Sequence, residues 1–334
     1  MKPDEGHNLT EKELAKLERR IASVYVEAAK ELQETVDNYF RQFEKRDAEM
    51  KELIGTIQNG KEWTEQDYKQ WRLNQIGRGE RFEALRDQIA ARMTKANQTA
   101  VSYVNDATPG IYSLNRNYAA YTIEQVAGDV GFTLWDESTV KRLIVEQPDL
   151  MPYYPAKLAV ARGIDLEYGK KMITKNVTSS ILQGKSIKGI ADRLQTDIPN
   201  MNRASAIRTA RTAVTGAQNA GRQDSYVAAE KMGIELKREW VCTLDARTRD
   251  EHATADGQVV GVDEPFTVGG EKLMYPGDRS GSPWNVYNCR CTMIAKVKGV
   301  DTSNAKRRDG YGVMPDMTFA QWQNSKRGEG YLQE

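Results

Sequence analysis

Residues 240–260 read WVCTLDARTRDEHATADGQVV, and this stretch decides the fold class because the periodicity of the chain changes just before it. A helical spacing stops at Gly233, and from Leu236 the alternation is that of a strand. Leu236, Trp240, Cys242 and Leu244 share one face, with Arg238 the exception, and Lys237, Glu239 and Thr243 lie opposite. Further on, Val268-Gly269-Gly270-Glu271 has the composition of a tight hairpin. Within the quoted stretch, Thr248 and Glu251 fit a capping box, which makes Arg249–Ala255 a single helical turn stopped at Gly257. Asp245, Arg247, Arg249, Asp250, His252 and Asp256 crowd into twelve residues. Arg247 and Arg249 are expected to pair with these carboxylates and fix an irregular loop.

Upstream, the chain is helical in pattern. Apolar residues recur at Leu14, Leu17, Ile21, Val24, Ala28, Leu32, Val36, Tyr39 and Phe43, a step of about 3.6 that suits a straight helix rather than a coiled coil. Thr10 and Glu13 fit a capping box at its start. Gly55 and Asn59-Gly60 interrupt it, and Thr64 caps a second run through Met93, weakened at Gly77 and Gly79. Thr108-Pro109-Gly110 reads as a turn. The tyrosines of 112–121 are expected to pack with their hydroxyls at the surface. Pro148, Pro152 and Pro155 exclude a helix and mark a hinge. Helices resume over 165–182, 186–194 and 203–231. The last carries a stripe of Ile207, Ala210, Val214, Ala217 and Gly221, small enough for another backbone to come close. The expected class is therefore α+β and predominantly α-helical, with long N-terminal helices and a small C-terminal α+β unit. Residues 301–334 read as a tail with one anchoring turn at Phe319 and Trp322.

Bulk properties exclude several classes. The 334 residues carry 48 Lys+Arg against 47 Asp+Glu, so no global field draws the chain to nucleic acid or membrane. No apolar run approaches the roughly 18 residues of a membrane span, and no membrane partner is expected. Three cysteines (Cys242, Cys289, Cys291) and a start without an apolar leader point to synthesis in a reducing cytoplasm rather than to a disulfide framework.

The 240–260 stretch is followed by Pro265-Phe266, Tyr275-Pro276-Gly277-Asp278 and Asn288-Cys289-Arg290-Cys291. It is preceded by Arg208-Thr209-Ala210-Arg211-Thr212 and Asn219-Ala220-Gly221-Arg222. This constellation resembles the head morphogenesis (phage Mu F-like) family of minor capsid proteins of tailed phages. The family's W-x-x-x-x-D-x-R-T-R-x-x-H core lies on Trp240, Asp245, Arg247, Thr248, Arg249 and His252. Its following glycine is Gly257 and its terminal N-C-R-C is Asn288, Cys289, Arg290 and Cys291. Cys242 lies outside the family pattern. The close resemblance covers about 165–295, and a looser one the helical half before it.

Periodicity, prolines and composition divide the chain into four segments, a helical N-terminal domain over 1–147, a Pro-rich hinge over 148–164, a domain over 165–300 and the tail over 301–334, and the resemblance implies that 165–300 is the Mu F-like domain. It also implies a non-enzymatic virion protein made in the host bacterial cytoplasm. Such a protein would associate with the portal protein, with major capsid or scaffolding protein as further candidate partners, and would help DNA packaging or delivery.

Three chemical readings stand beside it. His252, Cys289 and Cys291 could ligate zinc, with Cys242 or Asp245 as a fourth ligand, although Cys-x-Cys is not the usual knuckle spacing; the alternative is small buried thiols and a loop-capping histidine. A metal-dependent or nucleophilic enzyme domain could centre on His252 and Cys289. Non-specific DNA could be met by Arg203, Arg208, Arg211 and Arg222 on one helix, and by Lys296, Lys298 and Lys306–Arg308. The alternative there is an ion-paired surface.

Overall fold

A computed structural model describes residues 4–156, 164–299, 308–309, 312–313 and 317–328. The chain is predominantly helical with a small β region near its C-terminal end, the α+β class expected. It divides into two compact units, each assembled from separated stretches: 1–17, 104–159 and 208–334 form one, and 18–103 with 160–207 form the other. This partition differs from a linear cut at a 148–164 hinge. Three helices, α1 (Glu5–Arg41), α4 (Glu80–Ala127) and α7 (Ile187–Lys231), contribute residues to both units. A periodic apolar stripe does not announce where one core ends and another begins. The stretch 157–163 of the expected hinge, and Lys306 and Arg307 of the second basic region, lie outside the described residues.

Among the described residues, the second unit is helical apart from the small hairpin of β1 (Ile57–Gln58) and β2 (Lys61–Glu62) at Asn59-Gly60. It also contains α2 (Glu44–Glu52), α3 (Glu65–Ile76) and α6 (Leu166–Leu182). Thr64 caps α3 in a full capping box with Asp67, so the sequence signal there holds. The α1 stripe is buried at Ile21, Ala28, Leu32 and Val36, and the α6 stripe at Ile173, Val177 and Ile181.

The first unit holds the motif region. Its sheet has the order β4-β3-β7, with β3 (Leu236–Val241) central and antiparallel to both β4 (Val259–Gly261) and β7 (Thr292–Val297). Beside it lie the helix α8 (Asp250–Ala255), the hairpin β5 (Phe266–Val268) to β6 (Glu271–Leu273), and α9 (Pro283–Val286). Helix α5 (Glu137–Glu146) also belongs here, as do two short paired strands, β8 (Arg308–Asp309) and β9 (Gly312–Val313). Gly269 and Gly270 both have positive φ (57° and 83°), the geometry a two-residue hairpin of this hand requires. The tail is anchored as expected: α10 (Phe319–Lys326) starts at a Thr318–Gln321 capping box and buries Phe319 and Trp322.

Several local expectations are corrected. Helix α1 begins at Glu5, where Asp4 accepts the His7 N–H at 2.9 Å; Thr10 is therefore inside the helix, with its hydroxyl on Gly6 O. Pro109 and Pro199 lie within α4 and α7 rather than ending them, so the breaks expected near 108–110 and 195–202 do not occur. A proline forfeits one helical hydrogen bond, but Val104, Ile111 and Tyr112 on one side of the question and Ile198 and Ala206 on the other are buried, and that packing outweighs local propensity. The tyrosine hydroxyls are not uniformly at the surface: Tyr112 is 1% exposed, and Tyr121 donates to Met317 O at 2.6 Å. Leu244 falls beyond the end of β3 and is 61% exposed.

The stripe on α7 does what its small residues suggest. A Cβ on Gly221 would stand 2.4 Å from the Tyr112 carbonyl oxygen, so α4 and α7 approach here as only glycine permits.

Candidate functional site: a buried thiol–imidazole cluster in a polar frame

Three elements converge at the end of the central strand. Trp240 is fully buried in β3, edge-on to Phe266 (5.3 Å between ring centres) and to His252 (6.0 Å). Cys242 follows directly on β3, α8 delivers His252, and the turn before β7 delivers Cys289 and Cys291. Asn288 takes a left-handed conformation (φ 56°) at that turn, which asparagine tolerates better than most residues.

All three cysteines are free and buried. His252 Nδ1 lies 3.3 Å from Cys291 Sγ and 3.7 Å from Cys289 Sγ. The ligand atoms of His252, Cys289 and Cys291 are all within 4.8 Å of one another. Cys242 sits at one corner of this triangle, its Sγ 3.1 Å from Cys291 Sγ. It accepts the Trp240 indole N–H at 3.1 Å and donates to His252 O at 2.8 Å. His252 Nε2 is buried without a hydrogen-bond partner. The Cys289 thiol is held well below the usual thiol range, first by its hydrogen bond with Cys291 and then by His252, against the opposing effect of burial. Cys291 is raised well above it by hydrogen bonds to Cys242 and Cys289 and by burial. A cavity of about 20 Å³ adjoins the cluster, room for roughly one water-sized particle.

The charged motif residues form a stitch rather than a second cluster. Arg290 grips both oxygens of Asp245 at 2.6 and 2.7 Å, and the Arg247 N–H adds a third bond at 2.9 Å. These hold the Asp245 carboxyl well below the usual carboxylate range, Arg290 first. Asp245 therefore faces Arg290 and not the thiols. Arg247 reaches Asp245 only at 3.5 Å, while Arg249 donates to Tyr287 O rather than to a carboxylate. Thr248 does not cap α8: its hydroxyl donates to Thr243 O, and the N-cap is Arg249 with no side-chain bond. Gly257 turns the chain at φ 77° and donates to Trp240 O at 2.9 Å. The loop after β3 is thus tied to the 287–290 backbone, which holds His252 against the cysteines.

A frame less visible in the sequence supports the other side. On α7, Thr215, Gln218, Asn219 and Arg222 share a face. Thr215 donates to Cys289 O (2.7 Å), Asn219 to Cys291 O (3.2 Å) and Gln218 to the Thr292 hydroxyl (2.9 Å). Arg222, 1% exposed, bonds both oxygens of Asp4 at 2.7 Å and Met293 O at 2.9 Å. Arg222 consequently cannot meet a DNA phosphate. Arg208 is exposed, whereas Arg203 and Arg211 are only partly so, and Lys296 and Lys298 are paired with Glu239 and Glu235. A polar i, i+3, i+4, i+7 row flanked by small residues was the available signal for this frame.

The frame makes stability acid-sensitive. His7, 2.9 Å from Gln218, is pushed down to about 4 by burial and then by Arg222. The unfolded chain binds this proton more readily than the native one, so stability should fall as pH drops from about 6.5 to 4. The shift corresponds to about 3 kcal/mol. Asp4, lowered by Arg222 despite the opposing effect of burial, adds a further loss below the ordinary carboxylate range. Thermal melts at pH 7, 5.5 and 4.5 check this. His7→Gln should flatten the curve between 6.5 and 4, and an unchanged wild-type slope in that variant would contradict the assignment.

Comparison with known proteins bears on what this site belongs to. Residues 171–294 match the family described as "Phage Mu protein F like protein", in agreement with the resemblance carried by the motif. The chain is 25% identical over 324 residues to "Minor head protein GP7" of Bacillus phage SPP1, spanning 94% of each protein. It is 31% identical over 150 residues to "NAD(+)--arginine ADP-ribosyltransferase EFV" of Enterococcus faecalis, covering 45% of this chain but only 30% of that protein. It is 28% identical over 188 residues to "Uncharacterized protein YqbB" of Bacillus subtilis, 55% of this chain and 59% of the other. No solved structure matches it.

Proposed function

We propose that this chain, a phage Mu F-like minor head protein, is a structural component of the phage head that sits at the portal vertex and helps package or deliver DNA. The observation that carries the reading is the extent of its likeness to a minor head protein, which runs over nearly the whole of both chains rather than over the motif alone. The arrangement around the motif supports a structural role. Its charged residues spend their hydrogen bonds on the chain's own backbone and on one another. Among the described residues, no helix is long and apolar enough to cross a membrane.

An enzymatic reading draws on one observation, the lowered Cys289 thiol beside His252, a pairing suited to a nucleophile. Burial weighs against it. Cys289 and His252 are each 2% exposed, and the cavity of about 20 Å³ beside them admits no substrate larger than a water. The transferase activity in the name of one relative belongs to a protein of which this chain spans less than a third.

Mixing purified chain with assembled portal rings tests the partner. Co-elution of the two by size-exclusion chromatography is the expected result, and separate elution at micromolar concentrations of both would overturn it.

A further inference from the structure

The thiol–imidazole cluster has no part in the proposal above, and its composition is unusual for a region held by packing alone. Two thiols, an imidazole nitrogen and a third adjacent thiol are buried together at the end of β3. We propose that Cys289, Cys291 and His252 Nδ1 bind one zinc-class divalent cation as a structural site, with Cys242 as the fourth ligand.

The donor set comes first. Thiolate sulfur with imidazole nitrogen selects a borderline-soft divalent ion, and three sulfurs with one nitrogen is an established composition for closed tetrahedral zinc. Zinc holds sulfur at about 2.3 Å and nitrogen at about 2.0 Å, so a tetrahedral site has sulfur–nitrogen edges of about 3.5 Å and sulfur–sulfur edges of about 3.8 Å. The two sulfur–nitrogen edges here, 3.3 and 3.7 Å, bracket that value. The Cys242–Cys291 edge of 3.1 Å is shorter, so the ion would spread these two sulfurs. The adjoining cavity of about 20 Å³, lined by His252, Cys289 and Cys291, offers space to do so.

The histidine supplies an independent argument. A buried imidazole normally has a partner on each nitrogen. Here Nδ1 meets only two sulfurs, which are weak hydrogen-bond partners, and Nε2, which a cation at Nδ1 would not touch, is buried without a partner. Those contacts are poor compensation for burying the ring, whereas a metal–nitrogen bond is strong compensation.

The surroundings are also those of a ligand shell. Trp240 Nε1 donates to Cys242 Sγ and the Cys291 N–H faces Cys289 Sγ at 3.4 Å, so two N–H dipoles meet sulfurs that carry negative charge once metal is bound. Thr215 and Asn219 pin the carbonyls of Cys289 and Cys291. Asp245 is held by Arg290 on both oxygens and is not a ligand. Binding involves no electron transfer: three S–H groups release their protons to solvent as three metal–sulfur bonds and one metal–nitrogen bond form.

The test uses the full-length chain without a polyhistidine tag, purified without chelator. Elemental analysis should find about one zinc per chain, and Co²⁺ added to the apo protein should give a strong thiolate-to-cobalt absorption. Cys289→Ser should weaken zinc binding by about 100-fold or more, beyond the 10- to 100-fold typical of losing an outer-shell partner. Cys242→Ser should reduce the cobalt–thiolate absorption by about a third, as one of three sulfurs is lost. Asp245→Asn should keep stoichiometric zinc. Folded wild-type protein that takes up neither zinc nor cobalt at micromolar concentration would overturn the site, and this holds even if every variant fails to fold. Undiminished absorption in Cys242→Ser would overturn the fourth ligand.

Discussion

Arg222→Met should destabilise the unit that carries the motif by about 3–5 kcal/mol, a large part of the 5–15 kcal/mol that holds a typical domain together. The reason lies in what the substitution leaves behind. Asp4 faces Arg222 through two bonds of 2.7 Å, and Met293 O and the Asn115 side-chain oxygen also accept from the guanidinium. An intact buried pair adds little net stability because desolvation opposes the attraction, but removing one partner strands the other charge. Asp4→Asn made in the Arg222→Met background should therefore recover part of the loss. Urea unfolding of the two single variants and the double measures this coupling. Single-variant losses that simply add would show that the pair does not act as a unit.

Arg238→Met should have an effect of similar size for a different reason. Arg238 is completely buried in the central strand, and its acceptors among the described residues are carbonyl and amide oxygens rather than carboxylates. Its guanidinium donates instead to Gly261 O twice (2.8 and 3.1 Å), to Glu264 O (2.5 Å), to Met274 O and to the Gln223 side chain (2.6 Å). One side chain thus satisfies three carbonyls, those of the last residue of β4, of Glu264 in the loop beyond it and of Met274 just after β6, and burial lowers its own pKa to about 10. Methionine fills much of the volume but donates nothing. Each orphaned buried acceptor costs about 1–3 kcal/mol, so a loss of at least 3 kcal/mol is expected. Arg238→Lys should recover only a fraction, because a point charge cannot reproduce the fork. A change below 1 kcal/mol for Arg238→Met in urea unfolding would contradict this role.

What could be read beforehand follows physical lines. The helical step of α1, the Gly269-Gly270 hairpin and the Thr64 cap were legible because each depends on residues near one another in sequence, and the Gly221 close approach and the Phe319/Trp322 anchor because a local stripe of small or apolar residues marked one side of each contact. Pro109 misled because tertiary burial kept α4 whole, and for the same reason α7 runs unbroken across the gap expected between 194 and 203. Arg238 looked like a flaw in an alternating strand, yet it is buried like Leu236 and Trp240, which share its face. Its partners are carbonyls more than twenty residues away, for which a sequence carries no mark. Arg222 looked like a DNA contact because charge suggests solvent, and nothing local reveals that Asp4 lies against it. The cluster itself was legible as residue types. Its closeness was not, since Cys242 and Cys291 are 49 positions apart.

Quantifying the chain by mass spectrometry in heads assembled with and without portal protein tests the proposed place at the portal vertex. A few copies per head are expected when portal is present, with most of them lost when it is absent. Heads that lack the chain altogether, or that hold equal amounts with and without portal, would contradict it.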